Sequence, residues 1–219
     1  FDFNEDFNYI KEEETPYNEE EKQHHEKFKM IEPKCLIHGT YIVGENEDGL
    51  YIMDQHAVNE RINYEYYMKK LGEDSNLTTD LLIPIKLEFP SNEYIILKEH
   101  FNILDRLHIN YEEFGSNTLI IRSHPTWIKK GYEEESLYKI MEVIIHEEDF
   151  SIEKFNEKIA TTLACKMSIK ANEYVSLDEL RVLIERLRET ENPFTCPHGR
   201  PTIISYSKYE LEKLFKRAM

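Results

Sequence analysis

The sequence has no long apolar segment. Its longest apolar stretches, such as those at residues 81–83 and 94–97, are short, and none approaches the roughly 20 residues that a membrane-spanning helix needs. The first residues also lack the charged segment followed by an apolar one that marks a secretory signal. We therefore expect no membrane span and no signal peptide, and a cytoplasmic location.

Basic residues are few. Lysine and arginine together number 27 against 43 acidic residues, which leaves a formal net charge of -16. Tight binding to nucleic acid needs clustered positive charge, so most of this surface should repel DNA. If the substrate is DNA, a metal ion, a DNA-bound partner or another domain must hold the chain there.

Cysteine and glycine are also scarce. The three cysteines are an odd number in a chain without a secretory signal, which argues against a disulfide framework and for metal binding or plain burial. The seven glycines form no phosphate-binding loop, so ATP binding is not expected. A nucleophile elbow, a dinucleotide fingerprint and the His-Glu-x-x-His zinc motif are absent as well.

The 219 residues are enough for one large domain or two small ones. Residues 1–27 hold ten acids and three lysines without an apolar period, which predicts a disordered acidic linker. The remainder alternates strand and helix patterns and predicts an α+β fold. Strands are expected at 35–43, 50–53, 83–89, 109–114, 118–122 and 201–205, and helices at 56–71, 92–107, 136–145, 151–172, 177–189 and 207–217.

Finer predictions concern burial and capping. Ser91 and Ser176 are expected to cap their helices, the latter with Glu179 in a capping box. Pattern alone puts Leu81 to Pro84 at the start of a buried strand. Other side chains expected to face a core are Cys35, Ile62, Tyr66, Leu71, Ile96, Phe101, Leu104 and Trp127.

The first motif with chemical potential is Asp54-Gln55-His56-Ala57-Val58-Asn59-Glu60. His56 and Glu60 are four residues apart on one helical face, and Asp54 lies at the turn before the helix. Two carboxylates and an imidazole make a plausible ligand set for a divalent ion. The alternative is a solvated helix pair with Asp54 as a cap. Glu65 should point about 180° away from His56 and serve a structural hydrogen bond or ion pair.

Two further motifs hold cysteines. In Cys196-Pro197-His198-Gly199-Arg200-Pro201, the prolines stiffen a loop that presents sulfur and nitrogen together. Arg200 could contact a phosphate or bind the loop to a carboxylate. Cys165 lies within Ala164-Cys165-Lys166 in a predicted helix, where a cysteine is more often a small apolar residue than a ligand.

Taken together and in this order, the three motifs resemble the MutL family of mismatch-repair proteins over about residues 30–219. The family pattern Asp-Gln-His-Ala-x2-Glu-x4-Glu is matched from Asp54 to Glu65, and the six residues from Cys196 to Pro201 are matched without a change. The resemblance implies a C-terminal domain that dimerises and, with zinc or manganese as one or two ions, nicks one strand of duplex DNA. The catalytic residues it implies are Asp54, His56 and Glu60, and the metal ligands are Asp54, His56, Glu60, Cys165, Cys196 and His198.

The resemblance also implies two subdomains. A dimerisation and metal-binding part would comprise residues 28–75 and 150–219, with a regulatory part inserted at 76–149. Implied partners are a second copy, the replication processivity clamp, and a mismatch-recognition protein through the full-length protein, at the nucleoid during repair. Clamp docking would use Leu81, Leu82, Ile83 and Pro84, although Thr79 replaces the glutamine of the family motif.

Two other functions remain open at this point. The same ligands could form a structural zinc site in a non-catalytic dimerisation module, because closed zinc sites favour cysteine and histidine. The chain could also be a clamp-binding adaptor without chemistry. An open coordination position and a nicking assay would distinguish these alternatives.

Overall fold

The computed structural model of the protein describes residues 28–73, 76–147, 151–167 and 175–217; the predicted acidic linker lies outside them. Helices and antiparallel sheets confirm the α+β class. The strands are β1 (Glu32–Ile37), β2 (Tyr41–Glu45), β3 (Gly49–Asp54), β4 (Thr78–Glu88), β5 (Asn110–Glu113), β6 (Thr118–Pro125) and β7 (Ile203–Ser207). The helices are α1 (Gln55–Gly72), α2 (Ser91–Glu99), α3 (Phe101–Arg106), α4 (Glu133–His146), α5 (Ile152–Lys166), α6 (Leu177–Glu189) and α7 (Lys208–Leu214).

The first sheet has the antiparallel order β1-β2-β3-β7. The prediction of one strand at 35–43 was wrong, because a turn at His38 and Gly39 divides it. Both residues have positive φ, 53° and 61°, and the Thr40 N–H donates to the Ile37 carbonyl at 3.0 Å. This is the two-residue hairpin turn that matches strand twist. A histidine at a position that usually takes glycine or asparagine concealed the turn.

The two faces of this sheet differ in their surroundings. The pairing register aligns Leu36, Ile42, Met53 and Ile203 across the four strands, and this row packs into a core with α6. The next row is Cys35, Val43, Ile52 and Ile204, which faces away from that core because adjacent residues alternate sides. Cys35 is exposed, so the prediction that it is a core residue was wrong.

The second sheet has the order β4-β6-β5, which confirms the predicted hairpin of β5 and β6. β4 pairs with β6 along both of its ends, but the pairing is interrupted between Asp80 and Ile85. Leu82 is 98% exposed and Ile83 79% exposed in that interruption. The prediction of a buried strand start was therefore wrong, because the residues between the paired ends leave the ladder.

The predicted helix at 92–107 is divided in two at His100. Ser91 is not its cap; Pro90 occupies that position, without a side-chain cap hydrogen bond. Leu97 and Leu104 are fully buried while Ile96 is exposed, because the buried face follows the helical spacing of Leu97, Phe101 and Leu104 and Ile96 lies outside it. The prediction for Ile96 was wrong for this reason.

Helix α1 connects two apolar cores. Val58 and Ile62 pack with β1–β3 and α6, whereas Tyr67 packs with the second sheet and α2–α5. Tyr67 is buried in place of the predicted Tyr66, which is exposed. Trp127 is a packing anchor as predicted, with its ring 6.1 Å from that of Tyr67.

The predicted capping box of Ser176 and Glu179 is confirmed at α6, and Ser207 and Glu210 form another at α7. The predicted ends of two helices were wrong: α5 ends at Lys166 with Met167 as its C-cap, and α7 ends at Leu214 with Phe215 as its C-cap. Residues 168–172 of the first prediction lie outside the described residues. In the described ranges, no helix is both long enough and apolar enough to cross a membrane.

Candidate metal centre

The junction of β3 and α1 positions the first motif. Asp54 ends the strand and caps the helix, its Oδ1 accepting hydrogen bonds from the backbone N–H groups of His56 and Ala57 at 2.9 and 3.1 Å. The Asp54 N–H donates to the Thr202 carbonyl, which ties this junction to the start of β7. The helix therefore begins at a fixed point and presents His56 and, one turn later, Glu60.

Glu60 is the centre of the site. Only 1% of its side chain is exposed, and its Oε1 lies 3.1 Å from His56 Nε2. Its Oε2 accepts a hydrogen bond from Arg200 at 2.9 Å and lies 3.4 Å from His198 Nδ1. The predicted solvated pair is thus wrong for Glu60, although Asp54 is the cap that the same alternative proposed.

The electrostatic surroundings keep this carboxylate ionised. Burial raises the pKa of Glu60, but His56, Arg200 and His198 outweigh burial and hold the pKa below its ordinary value. Desolvation of the thiol and the nearby Glu60 carboxylate raise the pKa of Cys165. A buried anion is costly unless positive partners surround it, and here they come from two separate segments of the chain.

Five of the six candidate ligands converge in two groups. One comprises His56, Glu60 and Cys165, and the other Glu60, Cys196 and His198; within each group the donor atoms lie within 4.8 Å of one another. Glu60 belongs to both. Asp54 belongs to neither group in the described part of the chain, so its role as a ligand stays a prediction.

The loop after α6 is folded tightly around its cysteine. The Cys196 N–H donates to the Arg200 carbonyl at 2.8 Å, and the Gly199 N–H donates to the Cys196 carbonyl at 3.0 Å. Gly199 has a φ of 81°, which favours glycine. Cys196 is buried and His198 is partly exposed, so the two donors reach the site from its inner and outer sides.

Two residues of α1 hold this loop in place. Arg61 Nε donates to the Thr195 carbonyl, and the Glu65 carboxylate accepts the N–H groups of Glu191 and Asn192 at 2.6 and 3.2 Å. Arg61 and Glu65 also pair with each other at 3.6 Å. The structural role predicted for Glu65 is confirmed. Sequence reasoning missed Arg61, because nothing in the sequence shows that Thr195 lies beside it.

This donor set fits a divalent metal ion. Oε1 of Glu60 is buried, with His56 Nε2 3.1 Å away and without a well-aligned hydrogen bond among the described residues, and such an atom is costly unless a cation or donor meets it. Imidazole and thiolate ligands favour zinc, while the carboxylate also accepts manganese or magnesium. The side chains of His56 and His198 are 38% and 39% exposed, so the site is open to solvent on one side.

Comparison with known proteins agrees with these motifs. Residues 34–175 match the family described as MutL C terminal dimerisation domain. The DNA mismatch repair protein MutL of Listeria monocytogenes serovar 1/2a is 48% identical over 204 residues, which are 93% of this chain and 34% of that protein. The chain belongs to the MutL family. The MutL proteins of Geobacillus sp. WCH70 and Bacillus pumilus are 45% and 46% identical over 94% and 89% of the chain.

The similarity to MutL concerns one part of a longer protein. The chain spans about a third of the length of the MutL relatives it matches. The family match extends from β1 to the segment before α6 and includes His56, Glu60 and Cys165. Cys196 and His198 lie beyond it, but the structure places them against Glu60.

Proposed function

We propose that this domain is a metal-dependent endonuclease that nicks one strand of duplex DNA. The observation that carries the proposal is the buried Glu60 carboxylate shared by two groups of metal-binding side chains. A carboxylate in that position suits a site with one or two divalent ions. The relatives' name, DNA mismatch repair protein, supports mismatch repair as the process in which it acts.

A divalent ion bound there would neutralise phosphate oxygens and lower the pKa of a bound water, which is the chemistry that phosphodiester hydrolysis needs. The residues of the chain supply the surroundings. Glu60 provides the buried negative charge, and His56 and His198 provide nitrogen donors on the open side. Arg200 orients Glu60, and about half of its side chain is exposed, so it can also meet a phosphate.

The alternative is a structural zinc site in a non-catalytic dimerisation module. Its support is the presence of two thiols and two imidazoles near Glu60, since closed zinc sites use such ligands. The partial exposure of both histidines favours the open, catalytic form instead.

The proposed test is manganese-dependent nicking of supercoiled plasmid, with and without the processivity clamp. Cys165→Ser and Cys196→Ser should lose nicking, and Glu112→Gln is the control because Glu112 is exposed on β5 and pairs there with Arg122. Metal-loaded wild-type protein that never nicks, even with the clamp and as part of the full-length protein, would favour the structural alternative.

We also propose that the outer face of the first sheet joins two copies of the chain. Ile37, Tyr41, Ile204 and Tyr206 are exposed there, beside the row from Cys35 to Ile204. Two chains that each carry a charge of -16 repel each other on average, so a face with few charges favours their association, and this face presents mainly apolar side chains. The family description as a dimerisation domain supports a second copy as the occupant.

The segment from Leu81 to Pro84 is the proposed docking site for the processivity clamp. The exposure of the adjacent Leu82 and Ile83 supports this assignment, because contiguous exposed apolar surface marks sites of protein–protein interaction. A mismatch-recognition protein would act through the rest of the full-length protein. Zinc and manganese are the proposed metals, and the proposed location is the cytoplasm, at the nucleoid during repair.

A further inference from the structure

A cleft of about 720 Å³ opens beside the metal centre. Cys165 and His198, one from each group of candidate ligands, line it. Four lysines and two glutamates also line it, so its lining carries more lysines than carboxylates although the whole chain carries -16. A positive cleft on an acidic protein would concentrate anions at that place.

One face of α5 supplies most of this lining. Lys154, Lys158, Thr161, Thr162 and Cys165 recur at helical spacing, while Phe155, Ile159 and Leu163 on the other face are buried in the core. From the first lysine to the cysteine the helix rises about 16 Å. One strand of duplex DNA carries a phosphate every ~3.4 Å along the axis and winds around it, so this face is long enough to contact more than one phosphate of a strand.

The ion pairs of these lysines do not prevent phosphate binding. Lys158 lies 4.0 Å from Glu147, Lys166 lies 2.7 Å from Glu135 and Lys139 lies 2.5 Å from Glu142, with lysine side chains that are 61%, 45% and 31% exposed. Exposed pairs of this kind contribute little to stability. A phosphate can therefore replace the carboxylate partner.

We infer that this face of α5 binds the phosphates of one strand of duplex DNA and leads that strand to the metal centre. The inference rests on the proposed endonuclease function and adds to it the residues that hold the substrate. Lys154 and Lys158 bind the backbone away from the reacting bond. The threonine hydroxyls lie between them and Cys165, where they can donate to further phosphate oxygens.

The test measures binding of a fluorescent 30-base-pair duplex by anisotropy at several salt concentrations, with zinc and without manganese. The paired substitution of Lys154→Gln and Lys158→Gln should weaken binding and lower the salt slope of log K by about two, since each lysine–phosphate contact contributes about one. The matched control is Lys34→Gln with Lys98→Gln, because both are exposed lysines that each pair with one glutamate elsewhere. Zinc content and circular dichroism should stay unchanged in all variants.

The outcomes separate this inference from the proposed function. Equal slopes for the cleft variant and the control, or a wild-type chain that does not bind the duplex, would overturn the inference. Lysine-dependent binding by a wild-type chain that never nicks plasmid would leave the cleft assignment standing and reject the endonuclease.

Discussion

The metal centre and the segment from Leu81 to Pro84 break the usual rule of burial in opposite ways. At the metal centre a carboxylate, that of Glu60, is 1% exposed, whereas Leu82 on the edge of the second sheet is 98% exposed. Folding alone favours neither arrangement, because buried charge and exposed apolar surface both cost free energy. At Glu60 the cost is offset by Arg200, His56 and His198, and the two histidines also bring further donor atoms for a metal ion to the same point. At Leu82 and Ile83 the exposed apolar surface fits a partner protein that would cover it.

The largest effect is expected from removing the shared carboxylate. Glu60→Gln keeps the shape of the side chain but removes the charge, so nicking and zinc content should both fall by more than about 100-fold, which exceeds the usual effect of changing a residue behind the ligands. Plasmid nicking and metal analysis of the purified protein would measure this. Glu112→Gln, an exposed carboxylate on β5, is the control. Full nicking activity in Glu60→Gln would show that Glu60 is not part of the active site.

A smaller effect is expected from the residues that hold the ligand loop. Glu65→Gln should weaken the hydrogen bonds to the backbone of Glu191 and Asn192, and should lower zinc affinity about 10- to 100-fold, as changes to supporting residues do. Zinc competition titration measures the affinity. Glu32→Gln is matched, because Glu32 also pairs with an arginine, Arg181. If Glu65→Gln lowered thermal stability without changing zinc affinity, the role would be merely structural.

Leu82 and Leu87 lie on the same strand, β4, but differ in burial, so their substitution by alanine should have different effects. Leu87 is 3% exposed, so Leu87→Ala should lower the free energy of unfolding by about 2 to 5 kcal/mol. Leu82→Ala should change it by less than about 0.5 kcal/mol, yet should abolish binding to the processivity clamp. Urea denaturation and surface plasmon resonance would measure the two quantities. Normal clamp binding by Leu82→Ala would show that the clamp binds a different segment.

A substitution on the dimer face is expected to have the smallest effect on the fold and metal content of a single chain. Ile204→Glu places a charge in the exposed row of the first sheet, so it should shift the chain from dimer to monomer with little change in metal content. Sedimentation velocity would show the shift. The comparison variant is Val182→Glu, because Val182 is an exposed apolar residue on α6. If the dimer persisted in Ile204→Glu but dissociated in Val182→Glu, the interface would lie on α6 instead.

Features that depend on a few neighbouring residues were predictable. The capping box at Ser176, the orientation of Glu65 and the hairpin of β5 and β6 follow from side-chain chemistry and helical or strand period. Predictions failed where one local signal was ambiguous. His38 concealed a turn, and the adjacent apolar residues Ile96 and Leu97 left the buried face of their helix ambiguous until the structure buried Leu97.

By itself, the sequence determined which chemical groups are present and their order, from Asp54 to Glu65 and from Cys196 to Pro201, because a motif is a property of the covalent chain. Only the tertiary structure decided that Glu60 meets both Cys165 and His198, that Arg61 reaches Thr195, and that Leu82 and Ile83 leave their strand. Residues more than 100 positions apart come together only when helices and sheets pack, and packing depends on the whole apolar core rather than on any short segment.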